Sequence, residues 1–204
     1  THDPATLERY KDIVFATADY MADFVDFDKA RGEYVLGPGV SAGDEKQTDV
    51  LHNLNPTMEI QYWKWTLMIA QEWRKRLGMS PNPKWADVIA KIATPTVRGG
   101  VYPALEIPVE RSPAFMYGAF AGPDVDPEVM RTTLHRWQPP APQNAITWGT
   151  AMAAMCAARL GEPERAVDLL VGRYDTNPFR PNGYTVRRPE QTPMYMPANG
   201  GWLV

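Results

Sequence analysis

The sequence contains almost no cysteine, since Cys156 is the only one among 204 residues. A single cysteine excludes an internal disulfide, and its neighbours Met155 and Ala157 indicate a small buried thiol rather than a reactive one. Histidine is also scarce, and neither His52 nor His135 stands at a spacing typical of a metal site. We therefore expect no metal and no other cofactor, and structural or surface roles for these two histidines.

Long hydrophobic runs are absent as well. No apolar run approaches the roughly 18 residues that cross a bilayer, and residues 1–10 lack the hydrophobic core of a signal peptide. There is no basic excess, because 21 Lys and Arg stand against 24 Asp and Glu. This balance makes nucleic acid and a membrane surface poor partners.

No Gly-x-Ser-x-Gly elbow, phosphate loop or dinucleotide fingerprint occurs, which argues against a serine hydrolase, a kinase and a dehydrogenase.

What the chain does contain is an apolar fraction of 44%, enough for one globular core, with 20 prolines and 7 tryptophans. The prolines cluster between segments of helical periodicity, where they are typical of stiff connectors rather than disorder. We expect residues 1–204 to form a single domain or part of one.

Helical periodicity dominates the chain. The spacing of apolar residues predicts four helices, over residues 4–27, 55–79, 82–93 and 126–137. In the second of these, Asn55 is the expected N-cap, Pro56 the first helical residue and Gly78 the stop. Apolar stripes surround most of this helix and leave only a narrow charged strip, so we expect it to be largely buried.

Residues 144–174 predict an αα-hairpin, because an alanine-rich helix ends at Gly161 and Pro163 opens another after minimal spacing. The alanine-rich arm is the expected inner helix. Only "GEYVLG" and "GYTVRR" have the character of short strands. The predicted fold class is therefore all-α, with long Pro-rich loops and at most short strands. Unlike hairpins stacked in sequence suit either a toroid or a bundle.

Three stretches of the chain are informative in combination. "GPGVSAGDE" precedes "LNPTMEIQYWKW", "ITWGTAMAAMCAARLGEPERAVDLL" forms the hairpin, and "PNGYTVRRPEQTPMYMPANGGWLV" ends the chain. In this order they resemble the six-hairpin glycosidases, nearest the α-1,2-fucosidase-like and maltose-phosphorylase-like glycoside hydrolases. The resemblance covers residues 37–79 and 144–204. It implies part of an (α/α)6 toroid, of which 204 residues supply roughly half to two-thirds, while the remaining segments or a partner subunit supply the rest.

The resemblance also implies a function, namely hydrolysis of an oligosaccharide or glycoside by general acid catalysis, with inversion. Glu45 matches the general acid of the family. A neighbouring carboxylate and aromatic cover raise a glutamate's pKa toward that role, and Asp44 beside it is the rival candidate. Without the resemblance, "GDEKQTD" is typical of a solvated charge run.

The expected substrate-binding residues surround this acid. Glu59 lies in a first helical turn, where the helix dipole should keep it ionised and where it either anchors sugar hydroxyls or caps the helix. Tryptophans near helix starts suit sugar stacking, whereas Trp73 and Trp85 are expected in the core. Asparagine side chains offer both a donor and an acceptor. The binding candidates are Asp44, Asn53, Glu59, Trp63, Trp148, Asn199 and Trp202.

One carboxylate of the family pattern is missing. The fucosidase-like members carry an Asp just before the Asn-Gly segment, whereas this chain has Met196, Pro197 and Ala198 there. An inverting hydrolase needs a second carboxyl group. The base is then Glu59, Glu190, another acid or a residue outside this chain, unless phosphate attacks directly as in the related phosphorylases.

Three other functions stay open. A catalytically inactive carbohydrate-binding toroid fits the missing Asp, and an α-helical interaction scaffold fits the short hairpin. A polysaccharide lyase is less favoured than hydrolysis and would use Tyr184 or Tyr195 with Arg187 and Arg188.

Overall fold

A computed structural model describes residues 3–39, 50–106, 122–136, 147–171, 185–187 and 192–195. Within these ranges the chain forms six α-helices: α1 (Pro4–Phe24), α2 (Thr57–Arg76), α3 (Pro83–Lys91), α4 (Pro127–Arg136), α5 (Thr147–Arg159) and α6 (Pro163–Val171). The same ranges hold two antiparallel strand pairs, β1 (Asp26–Asp28) with β2 (Glu33–Val35) and β3 (Thr185–Arg187) with β4 (Thr192–Tyr195). The predicted, mostly helical character of the chain is confirmed.

Three helices begin with a proline that follows a capping side chain. The carboxylate of Asp3 accepts hydrogen bonds from the N–H groups two and three residues further on, each at 3.1 Å, at the start of α1. Asn82 does the same for α3, at 3.0 and 3.3 Å, and Asp126 for α4, at 2.7 and 3.2 Å. Because proline has no N–H to leave unpaired and its fixed φ suits a helix, all three helices start at a defined residue.

Two helices end at the predicted glycines. In α2 the N–H of Gly78 donates to the carbonyl of Lys75 at 3.0 Å, and the next N–H donates to the carbonyl of Arg74 at 2.8 Å. The end of α5 repeats this arrangement at Gly161, at 3.1 and 2.9 Å. Both glycines have a positive φ, which a residue with a Cβ adopts only at a cost. The predicted αα-hairpin of α5 and α6 is confirmed.

The helices pack into two hydrophobic clusters. The first joins α1, α2 and α3, and its fully buried indole, Trp85, confirms the predicted core role. The second joins α4 to α5 and α6, where small side chains allow close approach. Cys156 is fully buried there, and burial raises the pKa of its thiol to about 12, so it is an inert packing residue. Alanines that line α5 in this cluster are Ala153, Ala154 and Ala157.

One face of α2 does not meet the prediction of burial. Tyr62, Trp65, Met68 and Ile69 are all exposed, with Tyr62 at 55%. The first cluster covers only the side of α2 that carries residues such as Leu67. An apolar stripe at helical spacing therefore identified the helix correctly but did not show how much of it the neighbouring helices cover.

The exposed side of α2 continues onto α1 through a row of touching rings. Neighbouring ring centroids lie 5.7, 5.7, 6.4 and 6.1 Å apart along the row. Four of the five rings are exposed, and the fifth, Trp63, is partly buried. We call these residues the aromatic face: Tyr20, Phe24, Trp63, Tyr62 and Trp65.

The two predicted strand segments are confirmed as β2 and β3, but their partners were not predicted. β1 comes from the end of the segment expected to be helical, because α1 stops at Phe24 and the chain turns back to pair Asp26 with Val35. Among the described helices, none combines the length and the hydropathy of a membrane span.

Candidate functional site

The start of α2 lies against a second chain segment, residues 103–106. The N–H of Thr57 donates to the carbonyl of Ala104 at 2.9 Å, and the N–H of Glu106 donates to the carbonyl of Leu54 at 3.1 Å. The first N–H of the helix is thereby satisfied by a remote part of the chain. This pairing fixes the direction in which α2 leaves the loop before it.

Asn55 closes that loop, and the prediction that it caps α2 is wrong. The N-cap position is Pro56, which has no side chain able to cap. The N–H of Asn55 donates to the carbonyl of Leu36 at 2.8 Å, and its Oδ1 accepts the N–H of Leu36 at 2.9 Å. Asn55 has φ +48°, a left-handed conformation that asparagine tolerates better than most residues. The two hydrogen bonds between Asn55 and Leu36 hold together the residues on either side of segment 37–54, which contains Glu45.

The side chain of Asn55 also contacts Glu106, a residue that the sequence analysis missed. Its Nδ2 donates to Oε2 of Glu106 at 2.6 Å, and the Arg31 guanidinium binds the two carboxylate oxygens at 2.7 and 3.0 Å. Burial raises the pKa of Glu106, but the hydrogen bonds from Arg31 and Asn55 outweigh it and leave this pKa below its ordinary value. These partners lie 75 and 51 residues away, so no local pattern indicates them.

Glu59 lies in the first turn of α2 with a partly buried side chain. Its Oε2 is fully buried and has no hydrogen-bond partner among the described residues. Burial raises the pKa of Glu59, and the hydrogen bond from its own N–H lowers it by less. This direction is opposite to the expected effect of the helix N-terminus, because removal of the carboxylate from water outweighs the dipole. Glu59 therefore holds a proton more readily than an ordinary glutamate.

Replacing Glu59 with Gln is expected to stabilise the protein at neutral pH, because burying a neutral amide costs less hydration free energy than burying an ionised carboxylate. Because the folded-state pKa is raised, the carboxyl is least costly below its unfolded pKa, and stability falls as pH rises through the folded pKa. The advantage of the variant should thus shrink toward about pH 4, near the unfolded pKa of glutamate. Urea unfolding across this pH range measures it.

The control for this prediction is Glu72→Gln, at a half-exposed position of the same helix. Glu72 pairs with Arg76, and that hydrogen bond lowers the pKa of Glu72. Its replacement should give no gain in stability that grows with pH. A Glu59→Gln protein that is less stable than the wild type at neutral pH would contradict the burial argument.

Gln61, two residues beyond Glu59, holds residues 122–124, which precede α4, against α2 by a hydrogen bond. Its Oε1 accepts the N–H of Asp124 at 3.0 Å, and Nζ of Lys64 lies 2.7 and 2.8 Å from the carboxylate oxygens of Asp124. Gln61 is 1% exposed. A buried amide with these bonds holds the first turns of α2 in a fixed position relative to residues 122–124.

Gly122 leaves no room for a side chain at this contact. A Cβ there would lie 2.3 Å from Oε1 and 2.6 Å from Cβ and Cγ of Gln61. We expect Gly122→Ala to destabilise the protein by about 1–3 kcal/mol through overpacking. Thermal unfolding measures this, and the loss should be smaller when the same change is made in a Gln61→Gly background, which lacks all three of these atoms. Equal losses in both backgrounds would contradict the contact.

The other predicted binding residues do not form one described site. Asn53, two residues before Asn55 in the sequence, is buried, at 2% exposure. Nε1 of Trp63 donates to the carbonyl of Met21 at 3.1 Å, so this indole takes part in the packing of α1 on α2. Trp148 belongs to α5, but its side chain is outside the described part of the structure. Also outside it are Asp44, Glu45, Tyr184, Arg188, Glu190, Asn199 and Trp202.

The His135 side chain contacts a carboxylate. Its Nε2 lies 2.9 and 2.8 Å from the two oxygens of Glu162, which also pairs with Arg131. Across the ranges that the structure covers, no group of three His, Cys, Asp or Glu side chains is placed to hold a metal ion.

No known family model matches the chain, and no curated protein is significantly similar to it.

Proposed function

We propose that the chain is the catalytic part of a glycoside hydrolase that cleaves an oligosaccharide or glycoside by general acid catalysis with inversion. The observation that carries the proposal is Glu59, a carboxyl group with a buried, unpaired oxygen and a raised pKa at the start of an aromatic-rich helix. Carboxyl groups whose proton affinity is raised by burial are the groups with which glycosidases transfer protons.

The proposed acid is Glu45, with Asp44 beside it. The described residues on either side of them support this assignment, because the Leu36–Asn55 pair brings both ends of segment 37–54 to the N-terminal end of α2. Glu59 lies one helical turn beyond that pair. In the sequence, Glu45 lies ten residues before Asn55, and Glu59 lies four residues after it.

The proposed architecture is part of an (α/α)6 toroid. Helices that follow one another along the chain pack together, α1 with α2, α2 with α3, and α5 with α6, as the hairpins of a toroid do. In this proposal the remaining helices of the ring come from other segments of the chain or from a partner subunit. They would pack on apolar surfaces such as the aromatic face.

The test is hydrolysis of a panel of 2,4-dinitrophenyl glycosides and reducing-end-labelled oligosaccharides that covers fucosides, glucosides and galactosides of both anomers. We expect release of product from at least one class, and inversion of the anomeric centre as seen by proton NMR. Binding of an oligosaccharide without any product after long incubation would instead identify a non-catalytic carbohydrate-binding protein. If the protein shows neither saccharide binding nor hydrolysis, the glycoside hydrolase and the non-catalytic carbohydrate-binding protein are both excluded.

A second candidate function is an α-helical interaction scaffold, favoured by the exposed aromatic face. A contiguous patch of exposed aromatic rings on a protein surface is typical of a protein contact site. A scaffold would lose protein binding when Tyr62 and Trp65 are replaced by Ser, and it would show no saccharide binding before or after the change. Saccharide binding that survives this double replacement would oppose the scaffold.

A further inference from the structure

Helix α1 has apolar side chains on two sides, and the described structure covers only one of them. The covered side packs against α2 and α3 through residues such as Ala18 and Met21. On the other side, residues follow the alternating four- and three-residue spacing that is typical of helices packed side by side. We call this row the α1 seam, and every member except the first is exposed: Thr6, Tyr10, Ile13, Thr17, Tyr20 and Phe24.

Helix α2 has an uncovered row with the same spacing. We call it the α2 seam: Met58, Tyr62, Trp65, Ile69, Glu72 and Arg76. Its large side chains Tyr62, Trp65 and Ile69 are exposed. The aromatic face connects the two seams, because two of its rings belong to the α1 seam and two to the α2 seam. The two rows therefore form one surface on the same side of the helix pair.

Contacts between the two helices fix how the seams are aligned. The ring centroid of Phe24 lies 5.7 Å from that of Trp63, and the Arg74 guanidinium lies 5.5 Å from the ring centroid of Phe15. Residue numbers therefore rise along α1 in the direction in which they fall along α2, so the two helices are antiparallel. The middle of the α1 seam is thereby close to level with Ile69. A two-fold axis that crosses one seam near its middle also crosses the other near its middle.

The uncovered surface is large enough for a stable interface. The two seams contain seven large apolar or aromatic side chains, which are between 38% and 67% exposed. Since a large side chain has roughly 200 Å² of surface, these seven offer on the order of 700 Å² on each copy of the chain. A specific protein dimer buries about 800 Å² on each partner, so the two seams come close to what a dimer needs.

The charges beside the α1 seam favour a second copy of the same chain as the occupant. Arg9 and Asp23 stand seven residues before and after Ala16 on the same flank of α1. Arg9 has no carboxylate partner among the described residues, and its guanidinium lies 5.3 Å from the ring centroid of Tyr10. Asp23 binds Lys84 through Oδ1, so its Oδ2 can accept another donor. A half-turn about an axis at Ala16 places Arg9 of each copy beside Asp23 of the other.

We propose that two copies of the chain associate through the α1 and α2 seams, about a two-fold axis near Ala16 and Ile69, as an antiparallel four-helix bundle. Each α1 packs on the other α1 and each α2 on the other α2, so the same surface serves both partners, as in most homodimers. Apolar burial supplies the affinity, and the Arg9–Asp23 pairs at the rim fix the direction of packing. The inference goes beyond the proposed function and does not depend on catalysis.

Sedimentation equilibrium of the 204-residue chain, without saccharide, tests the association. We expect a mass of twice 22.9 kDa. Ile13→Glu should raise the dimer Kd at least about 100-fold, because it buries a carboxylate near the axis in each copy. Ile13 is 67% exposed in the single chain, so the change should leave folding intact. The matched control is Val167→Glu, at an exposed site of α6 outside both seams, which should dimerise like the wild type.

An exchange of two charges tests the direction of packing. Arg9→Asp and Asp23→Arg should each raise the Kd by about 3- to 10-fold, since like charges then meet at the rim. The double variant restores opposite charges in the antiparallel dimer, so its Kd should return to within about threefold of the wild type. In a parallel dimer each residue would lie opposite its own copy, and the double variant would be no better than the single ones.

Cross-linking locates the axis. Cys156 is buried and the pKa of its thiol is raised to about 12, so an introduced cysteine is the reactive one. A short bismaleimide should join Ala16→Cys to its copy. Ala5→Cys, at the start of the same exposed flank, should stay unlinked, because the two copies of residue 5 would then lie roughly 30 Å apart along the helices.

Two results would overturn the proposal. One is a protein that stays monomeric at about 100 µM, where a dimer with a Kd in the micromolar range would be associated. The seams would then be covered by another segment of the chain or by a different partner. The other is a dimer that Ile13→Glu leaves unchanged, because the association would then use another surface. Neither result bears on the saccharide panel, and failure of that panel would leave the dimer in place.

Discussion

Replacing Glu45 with Gln is expected to lower kcat for an oligosaccharide by about 10²- to 10⁴-fold while the protein still folds and binds saccharide. Glutamine keeps the shape of the side chain but has no proton to give to the leaving oxygen, so the loss should fall on the chemical step. Initial rates of product release, together with calorimetric binding of the same oligosaccharide, measure the two parts separately.

The neighbouring carboxyl provides the comparison for Glu45. Asp44→Asn should cost less than Glu45→Gln, because in the proposal Asp44 acts on the acid and the sugar rather than as the donor itself. If Asp44→Asn removes activity and Glu45→Gln does not, the acid is Asp44. Wild-type activity in Glu45→Gln would end the assignment of Glu45.

Replacing Asn55 with Ala is expected to destabilise the protein by about 2–4 kcal/mol. The change removes two side-chain hydrogen bonds, one from the N–H of Leu36 and one to Glu106, each worth roughly 1 kcal/mol and more at the charged partner. It also places an alanine at a positive φ, where a Cβ is strained. Urea unfolding at neutral pH measures the total.

Two other replacements of Asn55 divide that loss into its parts. Asn55→Gly tolerates φ +48° but lacks the side chain, so it should lose the hydrogen bonds without the strain. Asn55→Asp keeps the acceptor for the N–H of Leu36 but sets a carboxylate against Glu106, so its cost should shrink as pH falls and the pair takes up a proton. A stability of Asn55→Ala equal to that of the wild type would contradict the role of this contact.

The helices were predictable because their signals are local. A capping side chain followed by proline starts α1, α3 and α4, and a glycine at positive φ ends α2 and α5, so the deciding contacts lie within four or five residues. The periodic spacing of apolar residues then gives the length between those ends. The αα-hairpin follows from the same signals, because Gly161 and Pro163 leave space only for a tight connection.

The candidate site was less predictable because its contacts are remote in sequence. Asn55 precedes Pro56 and has the sequence of a helix cap, but its side chain is used by Leu36 and Glu106. Tertiary contacts thus replaced the local preference. The pKa of Glu59 could not be foreseen either, since the sequence gives its place in the first turn but not its burial. The exposure of one side of α2 was not predictable for the same reason, because the periodicity of apolar residues does not identify the neighbours of a helix.

The proton affinity of Glu59 is the most direct test of this account. Carbon-13 NMR of the glutamate carboxyl groups, with Glu59 assigned by the resonance missing in Glu59→Gln, follows its titration in the intact protein. We expect a pKa above the ordinary value for a glutamate side chain, because burial without a cation disfavours the charged form. A titration at or below the ordinary value would contradict the account, since Glu59 would then be a solvated or ion-paired carboxylate with no special basicity.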